Sequence, residues 1–124
     1  MERKTKQRDA IIDVIKSEGR PLSHHEIYHK AVKIVPNLGI ATVYRAVKDF
    51  MISGLLDQVT LPGDVTRFEL AGKHHHHHFW CRLCDRLFEV EGCTGKIGIS
   101  PPRGFRAEHH EIFFKGLCST CSDA

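Results

Sequence analysis

The sequence predicts an α+β fold. Three short helices and a β-hairpin occupy residues 1–70, a hinge lies at 71–73, and a small sheet-bearing domain fills 74–124. Three observations carry this reading. Apolar residues recur at helical spacing in three successive stretches before Gly54. Two β-rich runs joined by Pro62-Gly63-Asp64 follow them. Beyond Ala71-Gly72-Lys73 the helical pattern gives way to short extended runs marked by Cys81-x-x-Cys84 and Cys118-x-x-Cys121.

Composition sets the frame for these elements. The 124 residues are 41% hydrophobic and 27% charged, ordinary for a globular protein. No apolar run approaches the roughly 18 residues of a membrane helix, and no signal peptide is expected, so the chain reads as cytoplasmic with no membrane partner. In that compartment thiols stay reduced and free to bind metal. The net charge of +3 is unevenly placed: residues 1–73 hold 12 Lys/Arg against 9 Asp/Glu, whereas residues 74–124 hold 6 of each. A basic first part fits a nucleic-acid face, though the excess is modest.

In order along the chain, MERKTKQR reads as a short basic lead. Ile11, Val14 and Ile15 then fall on one helical face, and Gly19 stops that helix. Ser23-x-x-Glu26 is a capping box for a second helix with a buried stripe of Ile27, Tyr28, Ala31, Val32 and Val35, ended by Pro36. A third helix runs over IATVYRAVKDFMISG. Its apolar arc holds Ile40, Val43, Tyr44, Val47, Phe50 and Met51. The opposite arc carries Ala41, Thr42, Arg45, Lys48 and Asp49, the surface expected of a helix in a DNA major groove. Three helices and a hairpin in that order make a winged helix-turn-helix domain.

In the second domain, FWCRLCDRLFEVE reads as two strands around a turn at Cys81–Asp85, and the Gly- and Pro-rich residues 92–104 support at most a short helical turn. FRAEHHEIFFKG is strand-like, with Ile112, Phe113 and Phe114 able to bury, and it returns the terminal CxxC to the first. A strand apolar on both faces suggests pairing with a second subunit, so a homodimer is expected. Two CxxC pairs make a strong tetrahedral signal: Cys81, Cys84, Cys118 and Cys121 are the expected ligands of a structural zinc. Five consecutive histidines, His74–His78, lead into the first pair, and their place in mid-chain argues against an expression tag. They call for a second metal. The second domain is therefore expected to be a small α/β zinc-containing dimerisation domain.

Several stretches taken together resemble the ferric-uptake-regulator family of metal-responsive repressors. They are Thr5-x-Gln7-Arg8, Ala41-Thr42-Val43-Tyr44-Arg45, Phe68-Glu69, His75-His76-His77-His78-x-x-Cys81-x-x-Cys84, Glu89, Gly104-Phe105, His110 and Gly116-x-Cys118-x-x-Cys121. The resemblance implies a dimeric, metal-dependent repressor of metal-homeostasis genes that binds a palindromic, AT-rich double-stranded DNA operator. It implies DNA contacts from Tyr44 and Arg45, beside Thr42 and Lys48 of the polar arc. It also implies a regulatory site of Glu69, His76, His78 and Glu89, and an additional site of His75, His77 and His110. Alternation makes this division sensible, since neighbours along an extended strand face opposite ways.

Three departures from the family pattern matter. The helix that usually follows Glu89 is cut to residues 92–102 and its acidic ligand is lost; Cys93 is the candidate replacement. The histidine that the first domain usually donates to the regulatory site falls at Pro21, so His24 or His25 is the candidate substitute. The extra N-terminal helix found in many members is not expected, since the first core helix is read almost at residue 1.

Nitrogen and sulfur donors favour Zn2+ as the sensed metal, while imidazole with two carboxylates also suits Fe2+ or manganese, with peroxide sensing a related alternative. A zinc hydrolase or deaminase would need an HExxH or HxE…PCxxC arrangement, and neither is present, so no catalytic residue is expected. A winged-helix adaptor with structural zinc only would leave the histidine run without a purpose.

Overall fold

The computed structural model describes residues 2–92 and 99–122, which divide into two compact units, 1–73 and 74–124. In the first, α1 (Glu2–Glu18), α2 (His24–Ala31) and α3 (Ile40–Ile52) are followed by the antiparallel hairpin of β1 (Leu56–Val59) and β2 (Arg67–Leu70). This is the winged helix. Ile11, Val14 and Ile15 of α1 pack with Ile27 and Ala31 of α2 and with Val43, Ala46 and Val47 of α3. Leu56 and Phe68 close the core from the wing.

Some local expectations need correction. The basic lead belongs to the first helix, since α1 already begins at Glu2. The second helix stops at Ala31, five residues before Pro36, and Val32 and Val35 lie in the turns that follow. Tyr44, placed in the apolar arc by periodicity, is 47% exposed, while Ala46 fills the core position.

The start of α2 is held with unusual firmness. Ser23 Oγ accepts the Glu26 amide at 3.2 Å, and the Glu26 carboxylate accepts the Ser23 amide at 3.0 Å, completing the capping box. The same carboxylate accepts from Arg67 Nη1 at 2.7 Å and from Arg20 Nη1 at 3.0 Å. Arg67 is 1% exposed and also donates two hydrogen bonds to Asp64, from Nε at 2.7 Å and Nη2 at 3.0 Å. Leu22 and Phe68 exchange backbone hydrogen bonds of 3.0 and 2.9 Å, so β2 is stitched to the residue just ahead of α2.

The second unit is a three-stranded sheet of order β4-β3-β5, followed by a helical turn α4 (Ser119–Ser122). β3 (His77–Cys81) lies between β4 (Leu87–Val90), antiparallel, and β5 (Phe113–Gly116), parallel. Among its described residues only Cys81 and Leu87 are fully buried apolar groups, and His77 is the buried polar one. So thin a core needs another source of stability, such as a metal or a partner. The long strand expected over 105–116 is confined to Phe113–Gly116, and Phe113 and Phe114 are exposed rather than buried. No described helix is long and apolar enough to cross a membrane.

Candidate metal and nucleic-acid sites

The four-cysteine group is built by the pairing of β3 with β5. Their parallel register sets Cys81 beside Gly116, and the Arg82 amide donates to Gly116 O at 2.8 Å. Cys118 thus emerges next to the first CxxC, and α4 carries Cys121 back towards it. On the other side the chain turns tightly: the Asp85 amide donates to Cys81 O at 2.9 Å, and the Cys81 amide donates to Arg86 O at 3.0 Å. Asp85 takes a positive φ of 63° to make this turn, and its carboxylate accepts the Trp80 indole N–H at 2.9 Å.

The four sulfur atoms lie within 4.8 Å of one another, with Cys84 Sγ 3.9 Å from Cys118 Sγ. Amide N–H groups, that of Cys84 foremost, pull the Cys81 thiol down to about 6. Hydrogen bonding to Cys118, together with burial, pushes Cys121 up to about 12. These four convergent sulfurs fit a tetrahedral zinc.

A second group joins His75, His77 and His110. His75 Nε2 is 3.2 Å from His110 Nε2, and the His77 ring stacks on His110 at 5.3 Å. Burial pushes His77 below the usual histidine range, and the neighbouring imidazoles of His75 and His110 act the same way. The Ile112 amide donates to His77 Nδ1 at 3.1 Å, so in the neutral ring the hydrogen sits on Nε2. That nitrogen is buried and meets no hydrogen-bond partner. Coordination by neutral His77 through either nitrogen would therefore require the Ile112 amide to let go. With that adjustment the three imidazoles fit a borderline-soft divalent ion.

His109, next to His110, makes an edge-type ring contact with His75 at 5.9 Å. Cys93, the candidate fourth ligand, lies outside the described residues.

The residues assigned to the regulatory site are divided between the units. Glu69 sits in β2 opposite Asp57. In the second unit His78 faces Glu89 across the β3–β4 pair, and the His76 and His78 rings are 4.9 Å apart. His24, a candidate substitute ligand, lies flat on Tyr44 instead, with ring centroids 3.8 Å apart and planes 9° from parallel. His25, the other candidate, is exposed on α2.

On α3, Tyr44, Arg45 and Lys48 are exposed and Thr42 is half-buried. Arg45 Nη2 donates to Thr42 Oγ1 at 3.1 Å, so the guanidinium is laid along the helix surface. Arg8 of α1 pairs with Asp49 at 2.6 Å and sits over the Phe50 ring. Asp49 is thus engaged by a cation, which leaves the outer face of α3 with a cationic and aromatic character suited to a phosphate-rich partner.

Comparison with known proteins agrees with this architecture. A family model described as the ferric uptake regulator family matches residues 2–115. The ferric uptake regulation protein of Shigella flexneri is 29% identical over 126 residues, covering 94% of this chain and 82% of that one. Among solved structures, a zinc-bound manganese uptake regulator shares the fold with a TM-score of 0.80 at 24% identity, covering 90% of this chain and 87% of that chain. FurB of M. tuberculosis, described as a zinc uptake regulator, is 30% identical with a TM-score of 0.53, covering 96% and 95%.

Proposed function

Because the chain belongs to the ferric uptake regulator family, we propose that it is a homodimeric, metal-dependent repressor that binds double-stranded DNA and senses zinc. The observation that carries the choice of metal is the donor chemistry of the second unit. Among the described residues, the two groups assembled wholly within it, four cysteines and three histidines, offer sulfur and nitrogen donors. Such sets favour zinc over iron or manganese. The zinc uptake regulator of M. tuberculosis, at 30% identity, supports the same reading.

In this reading Cys81, Cys84, Cys118 and Cys121 hold a structural zinc, which contributes folding energy to a unit with little core. Glu69, His76, His78 and Glu89 hold the regulatory ion, and His75, His77 and His110 an additional one. A regulatory ion supplies electrostatic attraction that draws ligands from both sides of the hinge together. The protein's part is to carry those ligands on β2, β3 and β4, so that loading biases one arrangement of two recognition helices. Thr42, Tyr44, Arg45 and Lys48 meet the duplex, and the protein works in the cytoplasm as a regulator, not an enzyme. A second reading, iron or manganese sensing, is favoured by one feature: the regulatory set includes two carboxylates, with Glu89 paired opposite His78.

The test is a titration of the protein, its cysteine zinc intact, with zinc, ferrous iron and manganese at buffered free concentrations. Binding to a labelled duplex selected from a random pool is followed throughout. Zinc should tighten binding at the lowest free concentration. Tightening by iron or manganese alone would overturn the choice of metal, and no tightening by any ion would overturn metal dependence.

A further inference from the structure

From the stack of His24 on Tyr44 we infer that His24 is a positioning residue for DNA recognition, holding the Tyr44 phenol at the reading face of α3. The inference rests on the DNA-binding reading above and assigns His24 a task other than holding metal. Tyr44 occupies an exposed site on a helix surface, where a lone tyrosine would exchange between rotamers. Here one ring face is covered by the His24 imidazole at 3.8 Å and 9°, close to ideal parallel stacking distance.

The imidazole is itself held in place. Its other contact is edge-on to Phe68 of the wing at 4.7 Å, and Phe68 is fixed to Leu22 by paired backbone hydrogen bonds. His24 opens α2 directly after the Ser23 N-cap, within the capping box whose Glu26 is tied to buried Arg67 and to Arg20. A continuous row of rings therefore runs from wing to His24 to recognition helix. It has one rigid end and one end facing solvent.

A phenol supported in this way presents its free face and hydroxyl in one place, so less conformational freedom is lost when it meets a base or sugar. The row also ties the wing to α3, so the two elements expected to grip the duplex share one support.

Four variants in the full-length, zinc-loaded protein test this against the selected duplex. His24→Ala should weaken binding roughly three- to tenfold, the scale of one aromatic stacking contact. His24→Phe, which keeps a flat ring but no charge and no metal ligand, should restore most of it. Tyr44→Ala should weaken binding, and adding His24→Ala to it should cost nothing further. Zinc stoichiometry should not change in any of them.

In solution, the Tyr44 ring protons should be shifted upfield by the imidazole and should relax to ordinary values in His24→Ala. Wild-type affinity in His24→Ala, or a His24→Phe variant as weak as His24→Ala, overturns the positioning role. Loss of a zinc ion in His24→Ala would assign the residue to metal instead. Arg45→Ala serves as the control: if it too binds at full strength, the DNA-facing assignment of α3 has failed and the stack's role falls with it.

Discussion

Removing the guanidinium of Arg67 would take from the Asp64 carboxylate, whose side chain is 3% exposed, its cationic partner while leaving it the Val65 amide, and would take from Glu26 one of its two cationic partners. Breaking a buried pair from one side leaves an uncompensated charge, so Arg67→Ala should destabilise the first unit by about 3–5 kcal/mol. Urea unfolding of the variant measures this, and a loss below about 1 kcal/mol would show that water replaces the guanidinium freely. None of this was legible from the sequence. Arg67 reads there as one more cation in a half-exposed strand, and its partners lie 3 and 41 residues away. The cysteines are the opposite case, because CxxC spacing states its chemistry locally. Their ionisation adds a prediction for the proposed zinc. Cys121, at about 12, and Cys84, also raised above the ordinary thiol range, are both protonated at pH 7. Loading one zinc on four thiolates should then release at least those two protons. As pH falls through about 6, Cys81 gains a proton as well, so release should increase and apparent zinc affinity should fall. Calorimetry in buffers of different ionisation enthalpy counts the protons. Fewer than two at pH 7 would contradict the assignment of those thiols.

Elements carry the next set of consequences. The outer face of α3 was readable because helical periodicity separates Arg45 and Lys48 from Val43 and Val47 without knowledge of neighbours. Tyr44 was not, because what covers it comes from α2, twenty residues earlier. Arg45→Ala should cost roughly 1–3 kcal/mol in duplex binding while leaving fold and zinc content intact, measured by fluorescence anisotropy and metal analysis. The β5 strand differs from its sequence pattern for a related reason. A run such as Ile112-Phe113-Phe114 announces burial but not by what, and Phe114 is 51% exposed. As an edge strand among the described residues, β5 offers unpaired backbone and two phenyl rings to a second copy in the proposed dimer. Phe114→Glu should shift the protein from dimer to monomer at micromolar concentration in sedimentation velocity, and an unchanged dimer would place the interface elsewhere.

At the scale of the whole molecule, the winged helix and the α+β class were evident from element order, since that order is a local property repeated five times. How ligands separated in sequence assemble was not, for it depends on strand pairing. Parallel pairing of β3 with β5 is what brings His110 to His75 and Cys118 to Cys84. Of the residues proposed to hold the regulatory ion, Glu69 belongs to the first unit and His76, His78 and Glu89 to the second. His76→Ala should yield a folded dimer that keeps its cysteine zinc yet no longer tightens on DNA when metal is added. A retained response in the same titration would move the switch to the His75, His77 and His110 group.

The histidine run has one more property, which follows from where β3 is anchored. Cys81 and its pairing partners fix the strand from its C-terminal end, and the proposed liganding positions are counted back from there, at 75 through 78. In an ordinary strand a one-residue change in length upstream of an anchor would replace every side chain at those positions and exchange its faces. Here a fifth histidine, exposed His74, stands in reserve. Deleting one histidine leaves four, enough to refill all four positions, and inserting one merely lengthens the reserve. Slippage within the run is therefore silent. The des-His74 protein should bind the same number of zinc ions as the full chain, whereas deleting His74 and His75 together, which leaves three histidines for four positions, should not.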